Sequence, residues 1–368
     1  MQVKVWSYLN EYINEKDEVH EAIEQVLNSE VLILGENVKQ FENEFSAYCE
    51  SKFGIGVNSA TDAIFFALKA LGIEPGDEII TVSNTAVPTV SAIAATGAIA
   101  RFVDIDPISY LMKVEDVEAI ITSKTKGIIA VHLFGQCVDM DLLTEFAEKN
   151  NLFIIEDCAQ SHGAQYKGRI AGSMSQISTF SFYPTKILGG YGDGGMMVTA
   201  DEELANKMKR LRFYGMEKTY YAIEHGYNSR LDEIHAAILR KKLLHIDEYI
   251  NNRRRIAKRY DEELKNTSLQ LPLELPDNKH AYYIYVVRHS DRNKIMEKLK
   301  EKNILLNISY PWPIHTMTGY EHLGYKVGDL PETEKAAKEI FSLPMYPALS
   351  YDEQSYVINT LHSILDSY

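Results

Sequence analysis

Short β-prone runs alternating with helical patterns constrain this chain more than any other feature. DEIITV, GIIAVHLF, LFIIEDC, STFSF and GMMVT fall between about Gly35 and about Ile246, with stretches such as DMDLLTEFAEKNN between them. This alternation predicts an α/β domain built on a mostly parallel sheet. Ligands of such sheets sit outside the carboxyl ends of the strands. Asp157 follows LFIIE and Lys186 follows STFSFYPT, so both charges fall just past a strand and can face one crevice. Further upstream, ATDAIFFALKAL begins a helical pattern at Ala60 and Thr61. Free backbone N–H groups at such a helix start attract an anion.

The rest of the chain reads as a second unit. A helical run from Leu231 to Leu264 bridges to it, and LPLELPDN then punctuates the chain with two prolines. AYYIYVVRH and NILLNISY read as strands, with DRNKIMEKLKEKN as the helix between them. The expected division is residues 1–246, an N-terminal segment with the large α/β domain, and residues 247–368, a smaller α+β domain.

Composition excludes several classes. A net charge of −14 argues against a general nucleic-acid surface. Cys49, Cys137 and Cys158 are widely spaced, with no CxxC and no Cys/His spacing. Neither a disulfide framework nor a metal site is expected, and the three thiols read as small buried hydrophobes. The segment MQVKVWSYLNEYINEKDE lacks an apolar leader core, and no apolar run is long enough to span a bilayer, so the expected location is the cytoplasm.

Three segments in order, EDCAQSHGA, SFYPTK with GDGG behind it, and GYNSRLDEIHAAIL, carry a resemblance. The chain resembles the DegT/DnrJ/StrS family of sugar aminotransferases, within the aspartate-aminotransferase fold (type I), from GENVKQFENEF to SLPMYP. The resemblance implies a pyridoxal 5'-phosphate enzyme, with pyridoxamine phosphate as the intermediate form of the cofactor. In that reading Lys186 forms an imine with the cofactor aldehyde and later moves protons. Asp157 keeps the ring nitrogen protonated, so that the ring can act as an electron sink. Ala60, Thr61 and Ser181 hold the phosphate, and Gln160 lies close to the ring's phenolic oxygen. Asn228 corresponds to a residue supplied by the other subunit, which implies a homodimer with shared sites. His162 stays open between packing and cofactor contact.

The resemblance further implies L-glutamate as amino donor and a nucleotide-linked ketosugar as acceptor. Tyr183, Tyr214, Tyr310 and His315, with Trp312, match positions near the sugar pocket. RFYG and YPWPIH look like the branch acting on dTDP-3-keto-6-deoxyhexoses, for surface polysaccharide or a glycoconjugate. A 4-keto-sugar aminotransferase and a non-catalytic regulatory or binding protein are the alternatives. Arg212 reads either as a diphosphate contact or as a surface charge. One departure is Ala86 in SNTAVPT, where the family often has an aromatic residue stacking on the cofactor ring. GGYGDGG does not open a βαβ unit, so it is a weak match to a dinucleotide loop.

Overall fold

A computed structural model describes residues 1–366 of the chain; the last two residues of the expected second domain lie outside them. Its centre is a seven-stranded sheet formed by β1 (Phe53–Val57), β2 (Glu78–Val82), β3 (Ile99–Val103), β4 (Thr125–Val131), β5 (Phe153–Asp157), β6 (Ile177–Ser181) and β7 (Gly195–Thr199). The order across the sheet is β1-β7-β6-β5-β4-β2-β3. β7 runs antiparallel to both neighbours, and the other pairs are parallel. All five β-prone runs of the sequence contribute a strand. β2, β6 and β7 are buried along their whole length. Helices that cover both faces of a sheet require such continuous apolar runs.

The helices that position the site are α1 (Leu9–Asn28), α2 (Glu36–Tyr48), α3 (Ala60–Ala70), α4 (Val87–Ala95), α5 (Met140–Lys149), α6 (Glu202–Leu211), α7 (Glu233–Leu243) and α8 (Ile246–Leu264). The Ser59 side chain caps α3 by accepting from Asp62 N at 3.2 Å. Pro88 sits in the first turn of α4, where no intrahelical N–H is needed. Glu233, at the start of α7, accepts from the N–H groups of Asn37 and Val38 at 2.9 and 2.8 Å. One helix thus satisfies the free donors of another.

The helical run expected from Leu231 to Leu264 is two helices, broken at Leu244 and His245. α7 serves one core, and α8 passes from it, at Ile246 and Ile250, to a second. Ala236 and Leu239 of α7 belong to the large cluster around the central sheet. Ile256, Ala257, Tyr260 and Leu264 of α8 belong to a second cluster with Tyr285, Phe341 and Leu361. The AYYIYVVRH strand is shorter than expected: only Tyr285–Arg288 pairs, antiparallel to Ile340–Leu343. Val3 and Lys4 pair in parallel with Ile304 and Leu305, which places Val3 in the second cluster. Cys49, Cys137 and Cys158 are free and buried. Among the described residues no helix is long and apolar enough to cross a membrane.

Candidate active site

β5 ends in two adjacent carboxylates that the strand's alternation sends to opposite faces. Glu156 turns inward and is saturated: it accepts from His132 Nε2 at 3.0 Å, Gly172 N at 2.9 Å, Met174 N at 2.8 Å and Ser178 Oγ at 3.0 Å. Burial pushes its pKa up, but these donors outweigh burial and leave it below the usual value. His132 Nδ1 accepts from Val138 N at 3.2 Å, so its proton belongs on Nε2, facing Glu156. This buried network locks the end of β5. Asp157 turns outward into a cavity.

The Asp157 carboxylate is held at both oxygens. Oδ2 accepts from Thr89 Oγ1 at 2.8 Å and Oδ1 from Ala159 N at 3.1 Å. The Thr85 hydroxyl lies 3.1 Å from that of Thr89. Because the Thr89 proton goes to Asp157, Thr85 is the donor in that pair. Burial raises the Asp157 pKa, and the two donors and the Lys186 ammonium offset only part of the rise.

Lys186 leaves the turn after β6, where its N–H donates to Tyr183 O at 2.9 Å. At the opposite wall α3 begins, and the N–H groups of Ala60 and Thr61 have no partner within the helix. β7 passes very close to this helix start. A Cβ at Gly195 would stand 2.3 Å from the Ser59 carbonyl carbon, so only glycine fits there. Gly195 begins a strand and not a helix, which removes the dinucleotide-loop reading of GGYGDGG.

These walls enclose a cavity of about 250 Å³, lined by Ala60, Thr61, Asp157, Gln160, Ser181, Tyr183 and Lys186, together with Thr85, Ala86, Thr89 and Asp193. The donor set is asymmetric. One end offers helix N–H groups and the hydroxyls of Thr61 and Ser181, which suit a phosphate. The other end offers a buried carboxylate, which suits a protonated ring nitrogen. A lysine lies alongside. This arrangement fits a phosphorylated pyridine aldehyde. Only a methyl group stands at Ala86, and Ile64, Pro88 and Val131 are the larger apolar side chains lining the cavity.

Other sequence-selected residues lie elsewhere. Gln160 is fixed by two bonds: its Oε1 accepts from Phe134 N at 2.9 Å, and its Nε2 donates to Tyr310 OH at 2.5 Å. Tyr310 therefore touches the site through Gln160 and does not line the cavity. Phe134 and Tyr310 stack at 6.3 Å, both with positive φ (61° and 63°), a conformation bulky side chains rarely adopt. Tyr214 lines a separate cavity of about 960 Å³ with Arg230 and the hairpin strands at Met216–Lys218 and Tyr221–Ala222. Asn228 is exposed outside the cofactor-sized cavity, although its carbonyl accepts from Asn58 Nδ2 at 3.4 Å.

Two residues have a different role from the one expected. His315 is buried, with Nδ1 at 2.8 Å from Ser83 Oγ and Nε2 at 3.2 Å from Glu334 Oε1. Both nitrogens are used by the protein, so neither is left for a sugar. Arg212 is neither a surface charge nor a diphosphate contact: it is buried, pairs with Glu42 and donates to Gly56 O at 2.7 Å. His162 packs among Phe45, Phe180 and Phe182, and burial lowers its pKa to about 3, so it stays neutral. Thr89, the last residue of SNTAVPT, and Tyr283, in AYYIYVVRH, belong to the site but were not singled out from the sequence. Thr89 had one available signal, its position in the first turn of the helix after SNTA.

The chain is similar to known proteins over nearly its whole length. The DegT/DnrJ/EryC1/StrS aminotransferase family model matches residues 13–362. A dTDP-3-amino-3,4,6-trideoxy-alpha-D-glucose transaminase from Micromonospora megalomicea is 49% identical, over 99% of both chains. A pleiotropic regulatory protein from Geobacillus stearothermophilus is 42% identical, over 98% of both. The crystal structure of S. venezuelae DesV with a ketimine intermediate superposes with a TM-score of 0.98 at 38% identity, over 99% of both chains. NtdA from Bacillus subtilis with bound PMP gives a TM-score of 0.89 at 30% identity, over 96% of this chain and 82% of that one.

The elevated pKa of Asp157 has a consequence for stability. A carboxylate raised in the folded state binds its proton more tightly than in the unfolded chain. Its burial therefore costs nothing below the ordinary Asp pKa of about 3.9 and costs progressively more as pH rises through the elevated value. In Asp157→Asn the amide oxygen can keep the Ala159 N–H and the amide nitrogen can donate to Thr89. Cofactor-free Asp157→Asn should be more stable than the parent at pH 7, and the difference should vanish below about pH 4. Urea midpoints measured at both pH values check this; a parent that is the more stable protein at pH 7 would contradict it.

Proposed function

The chain belongs to the DegT/DnrJ/EryC1/StrS aminotransferase family, and from that premise we propose that it is a pyridoxal-phosphate-dependent aminotransferase. It moves the amino group of L-glutamate to C3 of a dTDP-linked 3-keto-6-deoxyhexose, for polysaccharide or glycoconjugate synthesis. The observation that carries this reading is the single cavity shared by Lys186, Asp157 and the start of α3.

When bound, the cofactor supplies the electron sink that lets an amino group pass between carbon skeletons. The chain supplies everything else. Ala60 N–H, Thr61 and Ser181 would hold the phosphate, and Gln160, fixed by Phe134 and Tyr310, would meet the ring. Asp157 would hold a proton on the ring nitrogen. Its own tendency to take up a proton is opposed by Thr89 and Ala159, which keep the carboxylate an acceptor. Lys186 Nζ takes and returns the proton at the substrate carbon. Tyr183, half-exposed at the mouth, and Tyr214, beside Arg230, offer faces and hydroxyls to sugar and nucleotide. Tyr310 acts through Gln160, and His315 through the position of the segment that carries Tyr310.

Preference for C3 is supported by the 3-amino sugar in the name of the Micromonospora relative. A regulatory reading draws on the Geobacillus relative's name. The intact lysine, carboxylate and anion cradle favour catalysis. We also place the working protein in the cytoplasm as a homodimer. Asn228 is exposed, and Tyr183, Tyr214 and Trp312 are 51%, 44% and 69% exposed, side chains that a second copy could meet. The division into residues 1–246 and 247–368 draws support from the second cluster, whose members other than Val3 lie beyond residue 246, while Ile250, Val286, Ile314 and Ile340 pack with the first.

With glutamate as donor, kcat/KM should favour dTDP-3-keto- over dTDP-4-keto-6-deoxyglucose by roughly a hundredfold, the cost of misplacing the reacting carbon by about 1 Å. NMR of the product should place the amine on C3. A preference for the 4-keto sugar would move the site of amination and leave the enzyme class standing; no amino product from either sugar would count for the regulatory reading.

Mixed dimers test the shared site. Lys186→Ala and Asn228→Ala protomers, each inactive alone, should regain activity on subunit exchange, because about a quarter of the sites are then intact. If exchange is demonstrated by mass and no activity returns, Asn228 does not serve the partner.

A further inference from the structure

Lys186 reaches the cavity with its amine over an aromatic face that no sequence motif singled out. Its Nζ lies 4.5 Å from the centroid of the Tyr283 ring. The Tyr283 hydroxyl is 2.9 Å from Thr185 Oγ1, on the residue just before the lysine. The ring is firmly mounted. Tyr283 N donates to Phe134 O at 3.0 Å, and its carbonyl accepts from buried Arg253 Nη1 at 2.9 Å. Gly135, at φ 109°, lets the Phe134 turn come this close, since a Cβ there would stand 2.9 Å from Tyr283 N. Phe134 is the residue whose N–H fixes Gln160. One turn therefore sets both the Tyr283 ring and Gln160.

We propose that Tyr283 is a positioning residue for Lys186, its ring and hydroxyl together holding the free amine in place. The proposal rests on the reading of Lys186 as the cofactor-bearing lysine. An ammonium over an aromatic face is attracted by the ring quadrupole, and more strongly where water is excluded. The effect is mutual. Burial pushes the Tyr283 phenol up, but the Lys186 ammonium and the Thr185 hydroxyl outweigh burial and bring it below the ordinary tyrosine value. The other charged or titratable groups around the pair are Asp157 and Asp193 on the cavity wall, His162 and Arg253 behind it, and Tyr310 beyond Tyr283. Substitution at Tyr283 leaves all of these in place. In turnover the lysine amine must return to one spot after each release. A face that holds it there shortens the search for the reacting carbon.

The test reads Lys186 itself. Trace acetylation of the full-length, cofactor-free chain across pH, followed by mass spectrometry of the Lys186 peptide, gives the amine's apparent pKa without any sugar. Tyr283→Phe removes the hydroxyl and keeps the ring, and Tyr283→Leu removes both. The apparent pKa should fall by about half a unit in the first and by about one unit in the second. A merely structural tyrosine would lower the melting temperature and leave this pKa where it was. If neither variant moves it by more than about 0.2 unit, or if it rises, the proposal is overturned. Failure of the aminotransferase reading would appear separately, as absence of amino sugar from the unmodified enzyme.

Discussion

Asp157 brings a carboxylate to a buried strand end, where burial opposes its charge, and much of the surrounding structure bears on that one group. Glu156 beneath it is saturated by four donors and fixes the end of β5. Thr89 and Ala159 then supply one hydrogen bond to each oxygen of Asp157. β5 and β6 are parallel neighbours, so the turn after β6 delivers Lys186 to the same end of the sheet. β7 returns antiparallel and, at Gly195, presses against the start of α3. Strand order alone therefore converges a carboxylate, an amine and an anion cradle on one cavity.

The second cluster contributes through contacts at its edge. Arg253 on α8 is fully buried and reaches the carbonyls of Tyr282, Tyr283 and Met345. Burial lowers its pKa to about 10, so it remains charged at neutral pH, and the three carbonyls compensate that charge. Ser83, His315 and Glu334 form a second tie, between the loop after β2 and the C-terminal part of the chain. Between these ties lies the segment that presents Tyr310 to Gln160.

The parts of the fold legible in the sequence were those in which local pattern and final environment agree. The strands of the central sheet are apolar runs because both of their faces are covered, and Asp157 and Lys186 stood out as charges at their ends. The break between α7 and α8 left no mark, since leucine and histidine at 244 and 245 suit a helix; beyond it α8 passes from the first core at Ile246 and Ile250 to the second at Ile256. His315 and Arg212 misled because their partners are remote: Ser83 lies 232 residues from His315, and Glu42 lies 170 from Arg212. Tyr283 was invisible for the same reason, 98 residues from Thr185. Residue type can nominate a charged or aromatic side chain, but only the fold decides whether it faces a ligand or seals the interior.

The central claim is that Lys186, opposite Asp157, carries the cofactor, and reductive trapping tests it most directly. Borohydride treatment of the cofactor-loaded protein, followed by digestion and mass spectrometry, should add the reduced cofactor mass to the peptide containing Lys186 and to no other. The same treatment of a Lys186→Ala variant should leave every peptide unlabelled. Label on a different lysine, or a loaded protein that takes no label at all, would contradict the account.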